Sequence, residues 1–318
     1  MKDKKISVIT VCYNEEVNIR ATIESVLEQT YRPYIEYIVI DGSSTDSSLD
    51  IIKSYSYDID LIVSEKDDGI FDAMNKGLIK STGKWVQFMN AGDVYSRHDV
   101  IQNIFEKNTH AADVIYGKSN RVTKSGNIFP EIHVSHENIR YGPTFRHGAC
   151  FINSQFHKAH LYQVGRPDLG FALDFKFLYD AFVEGRTFEG VNDFIIDYLE
   201  EGVSDNKYKS VLYCQRVIGD GKNQFFVALK VLMGYVKIFI RDSFFYKPIK
   251  AVKFFFINWV VCKLLNGVPS WTMRRFFYGL VGMRIGKDSI INQGFEYFTP
   301  GRLTIGDKTH INRKCFID

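Results

Sequence analysis

Over the first ninety positions, short runs of consecutive apolar residues alternate with stretches whose apolar residues recur every three or four. The runs are Ile6 to Tyr13, Tyr34 to Ile40, Ile59 to Val63 and Trp85 to Met89, mostly β-branched or aromatic. An unbroken apolar run of roughly four to eight residues is the pattern of a strand buried on both faces. Between the runs, Val17, Ile23, Val26 and Leu27, then Leu49 and Ile52, then Phe71, Met74 and Leu78 take helical spacing. In the last of these, Asp68, Asp72 and Asn75 fall on another face, an Asp-Asp-Gly turn leads in, and Gly83 stops the pattern. Strand and helix in regular succession predict parallel βαβ units with right-handed crossovers, a doubly wound α/β sheet. On that geometry Tyr13, Asp41, Glu65 and Asp93 stand at strand C-termini along one rim, where open α/β sheets place their ligands.

From Asp113 the alternation weakens into strand-like pieces, Val114 to Tyr116, Ala149 to Ile152 and Phe194 to Tyr198, separated by polar loops. One helical pattern stands out, Leu173 to Glu184, with Asp174 in its first turn, where a carboxylate suits the helix dipole. Two later stretches, Phe225 to Ile240 and Ile249 to Leu265, are apolar and helical in pattern but interrupted by Lys230, Lys237, Lys250, Lys253 and Lys263. A spanning helix needs about 20 apolar residues, so these predict helices lying in a membrane interface, with packing on the rest of the chain or on a partner as the alternative. Near the end, Ile285 and Ile291, and again Ile305, Ile311 and Ile317, recur every six residues. That period is the mark of a left-handed parallel β-helix.

Composition sharpens this picture in two places. The 318 residues suffice for one large α/β domain and an appendage. The five cysteines, at 12, 150, 214, 262 and 315, are odd in number and lack metal-ligand spacing, which points to a reducing, cytoplasmic setting. The start, Met1 to Lys5 followed at once by ISVITVCY, leaves no room for the apolar region of a secretory signal. Net charge is uneven: Lys222 to Arg284 holds eleven Lys or Arg against Asp242 alone, a net of +10, so the remainder carries −7 of the overall +3. Such a segment suits an anionic surface, and its Phe and Val content, with few Arg and no RNA-binding module, favours phospholipid over nucleic acid.

Four pieces in order, ISVITVCYNEE, IVIDGSSTDSS, the Asn75-Lys76-Gly77 helix and the strand ending near Asp93, together resemble the family 2 glycosyltransferases, nucleotide-sugar enzymes of the GT-A fold. The variants EKDDGIFDAMNKG and NAGD are most similar to enzymes that assemble bacterial capsule, colanic acid and other exopolysaccharide repeats. The resemblance implies a GT-A domain over residues 1–205, followed by a basic amphipathic segment over 206–268. From Trp271, RRFFYGLVGMRIG to NRKCFID resembles the start of a hexapeptide-repeat acetyltransferase, assigned to 269–318. The catalytic His and acyl-coenzyme A groove of such enzymes come later, so no acetyl transfer is expected of it.

The resemblance also implies roles. Asp174 takes the place of the base that accepts a proton from an acceptor hydroxyl, giving a single displacement with inversion. The family's metal-binding Asp-x-Asp reads here Asn90, Ala91, Gly92, with Asp93 following, so Asp93 is the expected ligand of Mg²⁺ or Mn²⁺. Tyr13, Asn14, Glu15 and Asp41 would border the donor, although Asp41 equally serves as a turn former and Tyr13 as a core aromatic. Met74 stands where many relatives carry an Arg for the diphosphate, with Lys76 or Lys66 as substitutes, and His147 in FRHGACF matches a position near the acceptor. The donor implied is a UDP-sugar, the acceptor a polyprenyl-diphosphate-linked sugar or glycan, and the location the inner face of the plasma membrane, peripherally bound. The degraded Asp-x-Asp and Met74 leave a nucleotide-sugar-binding or scaffold subunit as the alternative.

Overall fold

The computed structural model describes residues 5–106, 110–131, 135–200, 206–242, 270–280, 284–292, 296–297, 304–311 and 316–317. Its first strands and helices follow the alternation read from the sequence: β1 (Ile6–Cys12), α1 (Ile19–Leu27), β2 (Ile35–Asp41), α2 (Ser48–Ser54), β3 (Leu61–Ser64), α3 (Ile70–Lys80) and β4 (Trp85–Phe88). These strands are parallel and ordered β3-β2-β1-β4, with Ile6 beside Ile35 on one side and Trp85 on the other. The chain builds outward from β1 to β3, then α3 carries it back to the far side of β1. The topological switch therefore lies between β1 and β4, the place where open α/β sheets bind their ligands beyond the strand ends.

The rest of the sheet departs from the all-parallel expectation. After β5 (Val94–Tyr95) and α4 (Val100–Phe105) come β6 (Val114–Val122), β7 (Ile128–Glu131), β8 (Cys150–Asn153), α5 (Ser154–Ala159), α6 (Leu173–Val183) and β9 (Phe188–Leu199). They extend the same nine-stranded sheet as β8-β6-β9-β5, with β7 paired to β6. β8 runs antiparallel to β4 and to β6, and β5 antiparallel to β9, while β9 is parallel to β6 with register shifts near Lys118. The β6–β7 link is a tight turn closed by Thr123 and Asn127, too short for the crossover a parallel pair requires.

Two apolar layers cover the sheet. Ile6 and Val8 of β1 pack with Ile19, Ile23 and Val26 of α1, whereas Ile9 and Val11 join Ala73, Met74 and Leu78 of α3 and Phe177 of α6 on the other face. Every residue of β1 is buried, which is why its sequence shows no polar alternation. Each such Ile or Val contributes about 1.5–3 kcal/mol by leaving water.

The chain divides into two compact units, 1–235 and 236–318. In the first, α7 (Lys207–Ile218) packs on α6 and leads to α8 (Gln224–Asp242), which continues past the division. In the second, α9 (Trp271–Leu280) precedes six two-residue strands, β10 (Arg284–Ile285), β11 (Ile290–Ile291), β12 (Glu296–Tyr297), β13 (Thr304–Ile305), β14 (His310–Ile311) and β15 (Phe316–Ile317). They form three parallel pairs, Ile285 with Ile305, Ile291 with Ile311 and Tyr297 with Ile317. The stretch Ile249 to Leu265, expected to be an interfacial helix, lies outside the described residues. Among the described residues, no helix is long and apolar enough to cross a membrane.

Candidate active site

The loops after β1 and β2 are laced together at the rim. Asn14 N–H donates to Ser44 Oγ (2.9 Å), Glu15 N–H to Ser48 Oγ (2.7 Å) and Glu16 N–H to Asp46 (3.2 Å). In return Thr45 N–H donates to Asn14 Oδ1 (2.8 Å) and Ser47 N–H to Glu16 (2.9 Å). Asn14 adopts φ +53 to do this, a conformation that Asn tolerates better than most residues. Asp41 is fully buried beneath the loops, accepting from Ser64 Oγ (2.6 Å) and Ser44 N–H (3.2 Å). Its carboxylate thus shapes the turn, and Tyr13, 59% exposed, is the aromatic face left open beside Gly42. Tyr13 is therefore not a core residue.

Lys76 is committed within its own turn, bound to Glu65 (3.2 Å), Asp72 (3.1 Å) and the Lys66 carbonyl (2.8 Å). Met74 sits in the apolar layer between α3 and the sheet, 2% exposed, so a cation at this position would enter the core rather than meet a diphosphate. Its neighbour Asn75, also buried, exchanges hydrogen bonds with the backbone of Tyr162, Nδ2 to O (2.9 Å) and N–H to Oδ1 (3.0 Å). Asn75 therefore fixes the loop at 160–163 against α3.

The turn that follows β4 is held through its own backbone amides. Ala91 N–H donates to Val11 O (3.2 Å) and Gly92 N–H to Thr22 Oγ1 (2.9 Å), with Gly92 at φ +102, where a side chain would be strained. This aims Asp93 at the 146–148 segment: a Cβ on Gly148 would stand 3.7 Å from Asp93 Oδ2. Burial pushes the Asp93 carboxyl up to about 7, against the pull of Arg146. Asp174, at the start of α6, is likewise raised by burial to about 6, opposed by the Phe175 N–H (2.6 Å) and again by Arg146.

Arg146 is the residue the sequence reading passed over. It donates to Glu131 on β7 (3.3 Å) and to Tyr198 Oη on β9, its guanidinium 4.0 Å from the Tyr198 ring centroid. One positive charge thus faces both partly buried carboxylates. Arg146, Glu131, Phe145, Asp174, Phe175 and Cys214 help line a cavity of about 600 Å³.

His147 reaches the wall of that cavity, but its ring is otherwise engaged. It stacks on Phe88 with centroids 5.4 Å apart, and its Nε2 lies 2.7 Å from Tyr162 Oη, which is 3.1 Å from His157 Nε2. Burial pushes His147 down to about 3 and His157 to about 4, so both are neutral near pH 7. The hydroxyl then donates to one ring and accepts from the other.

Among the described residues, no three His, Cys, Asp or Glu side chains group as a metal cage. What the turn offers is oxygen: the Asp93 carboxylate, and Asn90 Oδ1, a buried amide oxygen with no hydrogen-bond partner. That pair fits a hard divalent cation whose remaining positions are filled by water and phosphate. It does not fit a cation held by protein alone.

Residues 7–167, half of the chain, match the profile described as Glycosyl transferase family 2. An uncharacterized glycosyltransferase of Mycobacterium tuberculosis is 36% identical over 101 residues, 32% of this chain and 38% of that protein. The chain therefore spans well under half the length of this relative. TuaG of Bacillus subtilis, named for teichuronic acid biosynthesis, is 23% identical over 212 residues, 64% of this chain and 83% of its own. Among solved structures, residues 1–349 of Staphylococcus aureus TarS in complex with UDP superpose with a TM-score of 0.52 at 17% identity, covering 83% of this chain and 81% of that one. A mannosyltransferase from Pyrobaculum calidifontis, bound to GDP-Man and Mn²⁺, gives 0.53 at 15%, covering 88% and 85%. At these identities the structural likeness shows a shared fold, that of GT-A nucleotide-sugar domains.

Proposed function

Because the chain belongs to glycosyl transferase family 2, we propose that it moves a sugar from a nucleoside diphosphate donor, a UDP-sugar, to a hydroxyl of a lipid-linked or glycan acceptor in cell-surface polysaccharide assembly. The observation that carries this reading is that Asp93 and Asp174, far apart in sequence, both face one cation, Arg146, and that Arg146 and Asp174 line the 600 Å³ cavity. TuaG supports the glycan setting through its name, and the UDP bound to TarS supports the choice of donor.

Tyr13 offers an aromatic face for the base, above loops pre-set by Asp41, Asn14 and Glu15. Asp93 and Asn90 would hold Mg²⁺ or Mn²⁺, which when bound supplies positive charge for the departing diphosphate. Asp174, ionised above about pH 6, accepts the acceptor's hydroxyl proton while that oxygen bonds to the anomeric carbon and the bond to the diphosphate breaks. A single displacement by this route inverts the anomeric configuration. Arg146 keeps Asp174 ionised near neutrality and leaves the carboxylate a basic partner in a desolvated wall. Residues 269–318 are assigned in this reading to two passes of a hexapeptide-type coil, supported by the six-residue isoleucine period and the three parallel pairs.

The test is calorimetric binding of UDP, GDP and dTDP with and without Mn²⁺, repeated on Asp93→Ala. Metal-dependent binding of UDP that the substitution abolishes supports the reading; a folded protein that binds no nucleotide overturns it.

A further inference from the structure

α8 carries two apolar faces. Val227 and Val231 are buried, and Gly234 comes so close to α7 that a Cβ there would meet Val211 at 2.4 Å. Tyr208 and Tyr235 complete the seam with ring centroids 5.3 Å apart. On the other side Phe225 (70% exposed), Phe226 (60%), Leu229, Leu232 (58%) and Met233 stand in water. Phe225, Leu229 and Leu232 recur at spacings of four and three, so this is one face of the helix, not scattered exposure. Lys230, exposed, sits on the flank between the two faces, and Lys237 follows seven residues later on the same flank.

We infer that this face of α8 docks in the interface of an anionic phospholipid bilayer. Charge complementarity chooses the occupant: residues 236–284 add nine Lys or Arg against one Asp, while the rest of the chain is acidic. Aromatic side chains flanked by lysines match the depth profile of a bilayer interface, rings at the headgroup boundary and ammonium groups among phosphates. Phenylalanines 60% and 70% exposed on a regular helix are the expected cost of a surface that is covered in use. The consequence for the cavity is direct. α7, on which α8 packs, contributes Ser210 and Cys214 to the cavity wall. The bilayer would lie beyond α8, on the side of that helix turned away from α7.

Vesicle flotation of the full chain tests this without any donor or acceptor, so its failure is distinct from failure of the sugar-transfer reading. Vesicles of phosphatidylcholine alone are compared with vesicles containing phosphatidylglycerol, at low salt and at about 1 M, where the Debye length falls to about 3 Å. Flotation should require phosphatidylglycerol and weaken in high salt. Lys230→Gln with Lys237→Gln should lower the partition coefficient roughly 25-fold, about fivefold per lysine. Phe225→Ser with Phe226→Ser and Leu232→Ser should lower it by more than about 10²-fold, with an unchanged circular dichroism spectrum, because these side chains are already in water. Equal binding to both vesicle types, flotation that survives the triple substitution, or no flotation overturns the proposal. So does a dimer seen by light scattering that the triple substitution dissolves, which would assign the face to a second copy.

Discussion

Replacing Asp174 by asparagine should slow transfer sharply and at the same time make the fold more stable. The substitution keeps the size of the side chain and its acceptor oxygen for the Phe175 N–H, and removes only the charge. Burial raises this carboxyl from 3.8 to about 6. An acid whose folded pKa lies above its unfolded one binds an extra proton in the folded state between those values, so stability falls as pH rises through that window and stays lower above it. A shift of about two pKa units corresponds to up to about 3 kcal/mol. The variant should therefore exceed the parent by up to about that amount at pH 8, and the difference should vanish below about pH 4. Urea unfolding can be followed at Trp85, buried in the sheet, after Trp259→Phe and Trp271→Phe. The rate of transfer should drop by about 10²–10⁴, the usual contribution of a positioned base. A variant that is less stable than the parent by the same margin at both pH values would refute the reasoning, since the carboxylate would then be a satisfied structural group.

Other expectations follow from neighbouring contacts. Arg146→Met removes the positive charge that faces Asp174, so the acid limb of kcat/KM should move to higher pH by on the order of one unit, and Arg146→Lys by less; pH–rate profiles at saturating Mn²⁺ decide it. Asn75→Ala leaves the Tyr162 N–H unpaired in the interior, while the Tyr162 C=O keeps the Val164 N–H, and should cost roughly 1–3 kcal/mol in urea unfolding. Met74→Arg, an apparent restoration of a diphosphate contact, should instead bury a charge and cost more than about 4 kcal/mol, seen as loss of soluble protein; a soluble, tighter nucleotide binder would show that position 74 faces the donor.

The half of the fold built from β1 to β4 was legible because strands buried on both faces leave unbroken apolar runs, and α6 because Leu173 to Phe182 keeps strict helical spacing. β9 was readable only from Phe194 onward: its first half, Phe188 to Asp193, is partly exposed and polar, without a periodicity of its own. β7 lies at the edge with most of its residues exposed, so nothing in Ile128 to Glu131 demands a strand. The rim positions of Asp41 and Asp93 follow from strand ends alone. Arg146 does not, because its partners Glu131 and Tyr198 are distant in sequence and only the sheet brings them together. Met74 misled for the opposite reason: alignment to a motif fixes a position along the chain, whereas the helical face that the position occupies decides what it meets.

The lacing of the first two loops has a dynamic corollary. The amides of Asn14, Glu15, Glu16, Thr45 and Ser47 each donate to a side chain of the other loop. Neither loop can open for solvent exchange without releasing its neighbour. The five amides should therefore exchange with deuterium as one cooperative unit, and serine or threonine substitutions in 44–48 should speed exchange at Asn14 as much as at Thr45. A donor arriving at this floor would find it already ordered, so its association would be limited by diffusion and steering rather than by loop rearrangement.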